Sequence, residues 1–241
     1  MDDAVNLDEL SLVYRARARL SAWLFPPRCL ICAEPGMPGR DLCVACNAGL
    51  PCAVASCCRC AMPLAVADDE QLCGACRQRS SPLNTVRAAF IYAAPVDGLL
   101  RRFKFHQDLA AGRLLATLMQ ARLADGERPA VLVPVPLHAS RLRQRGYDQA
   151  LELARPLSRA LEVPLWQGLQ RIRATAPQSE LDARARRRNL RSAFAVLAPV
   201  PPQVLLVDDV MTTGATLHAA ATALRRAGVA RVDAWVCARV P

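Results

Sequence analysis

Eight of the eleven cysteines form four Cys-x2-Cys pairs: Cys29/Cys32, Cys43/Cys46, Cys57/Cys60 and Cys73/Cys76. Zinc takes four soft thiolates in a tetrahedron, and a Cys-x2-Cys turn offers two sulfurs to one ion while a second pair arrives from a neighbouring hairpin. Four pairs therefore predict two structural zinc ions. The pairs also recur as a repeat, Cys29-x2-Cys32-x10-Cys43-x2-Cys46 followed by Cys57-x2-Cys60-x12-Cys73-x2-Cys76. Met37-Pro38 and Leu42-Cys43 of the first copy are echoed by Met62-Pro63 and Leu72-Cys73 of the second, which implies two small ribbons. Spacing leaves the ligand pairing open between consecutive pairs, the reading we prefer, and a crossed set joining Cys29/Cys32 to Cys57/Cys60. Cys52, Cys58 and Cys237 fall outside the repeat and read as free thiols, with no local arrangement that marks a nucleophile.

The second constellation follows the apolar stretch 204–207. Two adjacent carboxylates, Asp208 and Asp209, precede Val210, Met211, Thr212, Thr213, Gly214, Ala215 and Thr216, where a helix is expected to begin. Main-chain N–H groups at a helix start, helped by threonine hydroxyls, form an anion pocket, and Gly214 lets the backbone approach a phosphate closely. Acids just ahead of that pocket can accept hydrogen bonds from ribose hydroxyls or help hold a hydrated Mg²⁺ beside a pyrophosphate.

These groups need a scaffold, and the hydrophobic periodicity supplies one. From Val86 on, strands are expected at 86–94, 131–136, 194–197, 204–207 and 229–237. Helices are expected at 96–105, 109–123, 147–161 and 215–227. Strands alternating with helices imply an α/β fold with a mostly parallel sheet covered on both faces, and ligands in such sheets bind outside the carboxyl ends of strands. Residues 166–189 are polar, Arg-rich and without a clear period, long enough for a mobile loop. Upstream, residues 1–28 mix leucines with Arg15, Arg17 and Arg19 before Pro26-Pro27, an amphipathic helix expected to pack on the neighbouring domain. The expected organisation is thus 1–28 helix, 29–80 double zinc ribbon and 81–241 α/β domain.

Composition narrows the class. With 241 residues and 53% hydrophobic content the chain has ample material for a core. The net charge of +10 rests almost wholly on arginine, Lys104 being the sole lysine, and residues 139–191 carry twelve Arg against five acids. Such concentration favours phosphate-rich partners, nucleic acid or a polyphosphorylated small molecule. Arg and Pro interrupt every apolar stretch before the roughly 18 residues that a membrane span needs. The start, Met1-Asp-Asp, lacks the basic region of a secretory signal. A cytoplasmic setting is expected, which also favours metal ligation over disulfides.

Segment 204–216 resembles the signature of type I phosphoribosyltransferases, and with the double ribbon the chain resembles the ComF/GntX family. The likeness extends over Lys104-Phe105, Val133-Pro134-Val135-Pro136-Leu137-His138, Arg141, Arg145-Gly146-Tyr147-Asp148-Gln149-Ala150, Arg173, Thr175, Gln178, Leu181, Arg186, Asn189 and Ala193-Phe194. Where this chain has Asp148 the family more often has Asn. The resemblance implies a type I phosphoribosyltransferase-like domain that binds phosphoribosyl pyrophosphate with Mg²⁺. Asp208 and Asp209 would contact the ribose, and residues 210–216 the 5′-phosphate. Leu137, His138 and Arg141 would lie at the pyrophosphate, with Arg145 and Lys104 as further cationic contacts. A hood over 173–189, with Arg186, would balance the charge of the departing pyrophosphate. Asp208, Asp209 and Arg186 are then the candidate catalytic residues of a transfer of ribosyl phosphate, for which no acceptor is evident. The family also implies a link to uptake of transforming DNA, natural competence and competence or DNA-processing partners. The alternative is a nucleic-acid-binding accessory protein for single strands, without transferase activity, although 5% aromatic content supplies few stacking platforms.

Overall fold

The computed structural model describes residues 26–53, 55–65, 72–125, 128–173 and 193–241. The helix expected over 1–28, apart from its last three positions, and the expected hood beyond Arg173 fall outside them. The chain divides into two compact units, Met1–Leu50 and Pro51–Pro241.

In the first unit a tight turn carries Cys29 and Cys32. The Cys29 N–H donates to Glu34 O (2.8 Å), and the Ala33 N–H returns to Cys29 O (2.9 Å). A short helix, α1 (Val44–Ala48), starts on Cys43, whose Sγ accepts from the Cys46 N–H. The second copy repeats this turn bond for bond, from Cys57 N–H to Met62 O and from Ala61 N–H to Cys57 O, both 2.8 Å. Ala33 and Ala61 hold the same left-handed backbone, at φ 64° and 53°. The repeat read from cysteine spacing is therefore a repeat of backbone conformation, with α2 (Gly74–Arg77) following Cys73.

The larger unit is built on four parallel strands in the order β1-β6-β5-β2: β1 (Val86–Ile91), β2 (Leu132–Pro134), β5 (Gln203–Met211) and β6 (Arg231–Arg239). Parallel strands need crossovers, and the helices provide them: α3 (Val96–Phe105), α4 (Leu109–Leu123), α5 (Ala139–Arg145), α6 (Gln149–Leu161) and α7 (Ala215–Arg226). Val204 through Val207 are all buried, as expected of a central strand covered on both faces. Val204 and Leu206 join the core with Leu217, Ala220, Ala221 and Leu224 of α7. Leu205 and Val207 point the other way, toward the side on which α6 packs against β5 and β2. On that side Gly112 of α4 admits the Phe103 ring of α3; a Cβ there would lie 2.4 Å from a ring carbon.

Helices α3 and α4 span the residues expected, and α7 ends one residue early. Beyond shifts of one to three residues at the ends of β1, β2, β6 and α6, three features differ from the sequence reading. First, β5 does not stop at Val207. It runs on to Met211 because β6 pairs with it as far as the Met211–Arg239 register, so Asp208 and Asp209 sit within a strand. Second, the stretch after Pro136 is helical: His138 caps α5 and Gly146 closes it at φ 82°. Third, the stretch without a period contains β3 (Leu169–Arg171), antiparallel to β4 (Phe194–Val196). Three-residue strands are too short to show a period.

The second ribbon belongs to this unit. It adds to the outer side of β1, where the Val86 N–H donates to Cys58 O (2.7 Å) and the Ile91 N–H to Pro51 O (2.8 Å). Ala61 is buried in the same core as Leu83, Val86 and Met211.

Candidate functional site

Two thiol clusters are formed, Cys29/Cys32/Cys43/Cys46 and Cys57/Cys60/Cys73/Cys76, with all sulfurs of a cluster within 4.8 Å of one another. The pairing is therefore consecutive, not crossed. Cys32 and Cys43 Sγ lie 3.6 Å apart, as do Cys60 and Cys73 Sγ. Sulfurs about 2.3 Å from a tetrahedral zinc would be about 3.8 Å apart. Burial opposes charge on Cys29, but N–H groups of Cys43, Cys32 and Ile31 outweigh it and bring the thiol to about 6. Cys57 is likewise resisted by burial and lowered to about 7 by N–H groups of Cys73, Arg59 and Cys60. Neighbouring sulfurs push Cys46 well up, and burial with neighbouring sulfurs raises Cys60 to about 11 and Cys76 further. Four sulfurs so close resist shared negative charge, and a divalent cation removes that resistance. The closed, soft, four-sulfur donor sets fit two zinc ribbons.

At the carboxyl end of the sheet, the strand alternation sends the acid pair to opposite faces. Asp209, 8% exposed, receives the Lys104 ammonium from the last turn of α3, Nζ to Oδ2, at 2.9 Å. Asp208 accepts the Asp209 N–H on Oδ1 (2.9 Å) and lies in electrostatic range of Arg171 on β3. Burial first, and then the charge of Asp209, raise the Asp208 carboxyl to about 8, against the pull of Lys104. A third acid, Asp148, adds to the local negative field.

Past Met211 the chain turns through exposed Thr212 and Thr213 to Gly214, the cap of α7, at φ 75°. That left-handed conformation suits glycine, and a Cβ would also meet the Met211 Cε at 2.5 Å. The first N–H groups of a helix have no partner within it, and here they emerge just beyond the acid pair. Val210, Ala215 and Thr216 are partly exposed, whereas the Met211 side chain is buried, so its contact with a ligand would be through the backbone.

The loop from β2 to α6 is held by Asp148. Its Oδ2 accepts the Leu137 N–H (2.7 Å) and its Oδ1 caps α6 through the Leu151 N–H (3.1 Å). Two acceptors meet two donors, an arrangement an amide side chain could satisfy only by half. His138 Nδ1 accepts the Ser140 N–H (3.2 Å) and lies 2.8 Å from its hydroxyl, so the imidazole serves as a helix cap. Arg145 donates to Gln149 Oε1 (2.7 Å) and stacks over Phe105.

Comparison with known proteins matches residues 20–77 to a double zinc ribbon domain and residues 147–241 to a phosphoribosyl transferase domain. The chain is 34% identical over 224 residues to the DNA utilization protein YhgH of Salmonella typhimurium, covering 89% of this chain and 97% of that protein. It is 35% identical over 180 residues to competence protein F of Haemophilus influenzae, covering 70% of this chain and 79% of that protein. The chain belongs to the ComF/GntX family. A more distant relative, competence protein ComFC of Bacillus subtilis, is 30% identical over 148 residues, 60% of this chain and 59% of that protein.

In this ComF/GntX member the sequence-derived candidates fall into three groups. Lys104, Asp208 and Asp209 are brought together, with residues 210–216 following them in the same strand-to-helix turn. Leu137, His138, Arg141 and Arg145 line up along the Asp148-anchored loop and α5. Arg141 connects the two groups electrostatically, since it lowers Arg171, which in turn feels Asp208. Arg186, with the rest of 174–192, lies outside the described residues. Arg171 escaped the sequence reading. It is 8% exposed, stacked over Phe194, and burial first, then Arg141, pull its guanidinium down. Its alternation with exposed Gln170 was the available signal, too short to distinguish from surface charge.

Proposed function

We propose that this ComF/GntX protein binds phosphoribosyl pyrophosphate with Mg²⁺ at the carboxyl end of β5. The observation that carries the reading is the continuous arrangement of β5, with Asp208-Asp209 near its carboxyl end, a left-handed Gly214 and the first amides of α7. In this reading the threonine-glycine turn takes the 5′-phosphate, the acid pair takes the ribose hydroxyls, and the Leu137–Arg141 stretch takes the pyrophosphate. When bound, Mg²⁺ offsets pyrophosphate charge. Lys104 already supplies a cation to Asp209. Arg186 is the candidate for balancing the leaving pyrophosphate. Among the described residues no acceptor-recognising group is evident, and the reading is one of binding before turnover.

Calorimetry with phosphoribosyl pyrophosphate and Mg²⁺ tests this. The wild type is expected to bind and the Asp208→Asn/Asp209→Asn variant to lose at least about tenfold in affinity. No heat of binding with the wild type overturns the reading.

The names of the relatives, competence protein F and DNA utilization protein, extend the proposal to a role in using incoming DNA. A second reading, direct contact with single strands, rests on an open cleft of ≈ 380 Å³ between α4 and α6 edged by Arg113 and Arg159, with Arg155 paired to Glu152 beside them. Strand affinity falling steeply with salt would support it; no binding near physiological salt would remove it.

A further inference from the structure

Arg239 is the last residue of β6 and is 7% exposed. Its Nε donates to Cys60 O (2.8 Å), and its Nη1 donates to Met211 O (3.2 Å) and to Val240 O. One guanidinium thus joins the main chain at a zinc-ligand position of the second ribbon to the residue at which β5 gives way to the threonine-glycine turn. A rigid planar fork can hold two carbonyls at fixed separation, which a flexible ammonium cannot.

Packing runs along the same line. Ala61, next to Cys60, is buried in the core that contains Met211, and Cys60 packs against it. The Met211 side chain in turn lies beneath Gly214, its Cε 2.5 Å from where a Cβ would stand. Met211 O also accepts the Val240 N–H (3.0 Å), so donors from residues 239 and 240 converge on the main chain at the end of β5.

We propose that Arg239 is a positioning residue through which the second cysteine cluster, when metal-loaded, sets the conformation of the phosphate-binding turn 212–216. The second ribbon is then part of the ligand site and not merely an appendage to it. The affinity arm of the test rests on the phosphoribosyl pyrophosphate reading above; the exchange arm does not.

Five zinc-loaded proteins decide the matter: wild type, Arg239→Met, Arg239→Lys, Cys76→Ser and the Arg239→Met/Cys76→Ser double variant. Cys76 is a ligand of the second cluster but makes no contact with Arg239 among the described interactions. Hydrogen–deuterium exchange is followed without ligand at amides 218–220, whose helical bonds close on the carbonyls of 214–216, with amides 115–119 in the middle of α4 as an internal reference. Zinc per chain is expected to be two in the arginine variants and one in Cys76→Ser. Exchange at 218–220 is expected to rise about tenfold in Arg239→Met, the effect of losing a charge-assisted hydrogen bond, and less in Arg239→Lys. Cys76→Ser should raise the same amides, and the Arg239→Met/Cys76→Ser double variant should add little to either single change, the signature of one shared path.

Unchanged exchange at 218–220 in Arg239→Met with both zinc ions retained overturns the proposal. So do single effects that multiply independently, or a rise at 115–119 as large as that at 218–220. If Arg239→Met does not fold, Arg239→Lys and Cys76→Ser carry the same decision. In calorimetry, Arg239→Met is expected to bind phosphoribosyl pyrophosphate about tenfold more weakly. Wild-type failure to bind would overturn the ligand reading, while the exchange result would still decide the role of Arg239.

Discussion

Asp208 and Asp209 are adjacent on one strand, with Asp148 adding a third negative charge nearby and Lys104 offsetting part of it. Burial and that crowding hold the Asp208 carboxyl at about 8 in the fold, against about 3.9 in an unfolded chain. Between those values the folded state binds the proton and the unfolded state does not, so stability falls as pH rises from about 4 to about 8 and levels off above. Asp208→Asn removes the titration. Its melting temperature is expected to exceed that of the wild type at about pH 8 and to converge with it toward about pH 5. A constant difference across that range would contradict the assignment.

At the scale of elements, the site depends on where chain segments begin and end. Helix α6 begins on Asp148, and the same carboxylate holds the loop leaving β2 through Leu137. Asp148→Asn keeps the cap on one oxygen but replaces the other acceptor with an N–H donor facing a backbone N–H. A loss of about 1–2 kcal/mol of unfolding free energy is expected from denaturant titration, together with weaker ligand binding, because the loop bearing His138 and Arg141 is then less firmly placed. Periodicity made α3, α4 and α7 legible, since each has enough turns to show its buried stripe. It could not reveal α5, whose seven residues contain no buried side chain. It could not reveal β3 and β4 as a pair, because their pairing is a contact between segments.

For the whole molecule, the two thiol clusters and the sheet divide the work of stability. Among the described residues of the first ribbon Leu42 is the main fully buried side chain, and so little apolar area is expected to need the metal to hold its fold. Elemental analysis is expected to give two zinc ions per chain, and chelation to unfold the segment 29–50 while the sheet of the larger unit retains its strands. One zinc per chain would contradict the paired-ribbon assignment. The second ribbon is different, because it also hydrogen bonds to β1 and shares the core with Met211.

Cysteine spacing, the apolar run at 204–207 with its acid pair, and the threonine-glycine turn were each determined by sequence, because their chemistry lies in residue types a few positions apart. Tertiary structure alone decided that the sulfurs pair consecutively, that β5 carries the acids inside the strand to opposite faces, and that Lys104 reaches Asp209. It also placed Arg171 and Arg239 against groups distant in sequence. Such contacts close over 105 positions between Lys104 and Asp209 and 179 between Cys60 and Arg239. Their partners are chosen by strand register and side-chain direction, which no local pattern encodes.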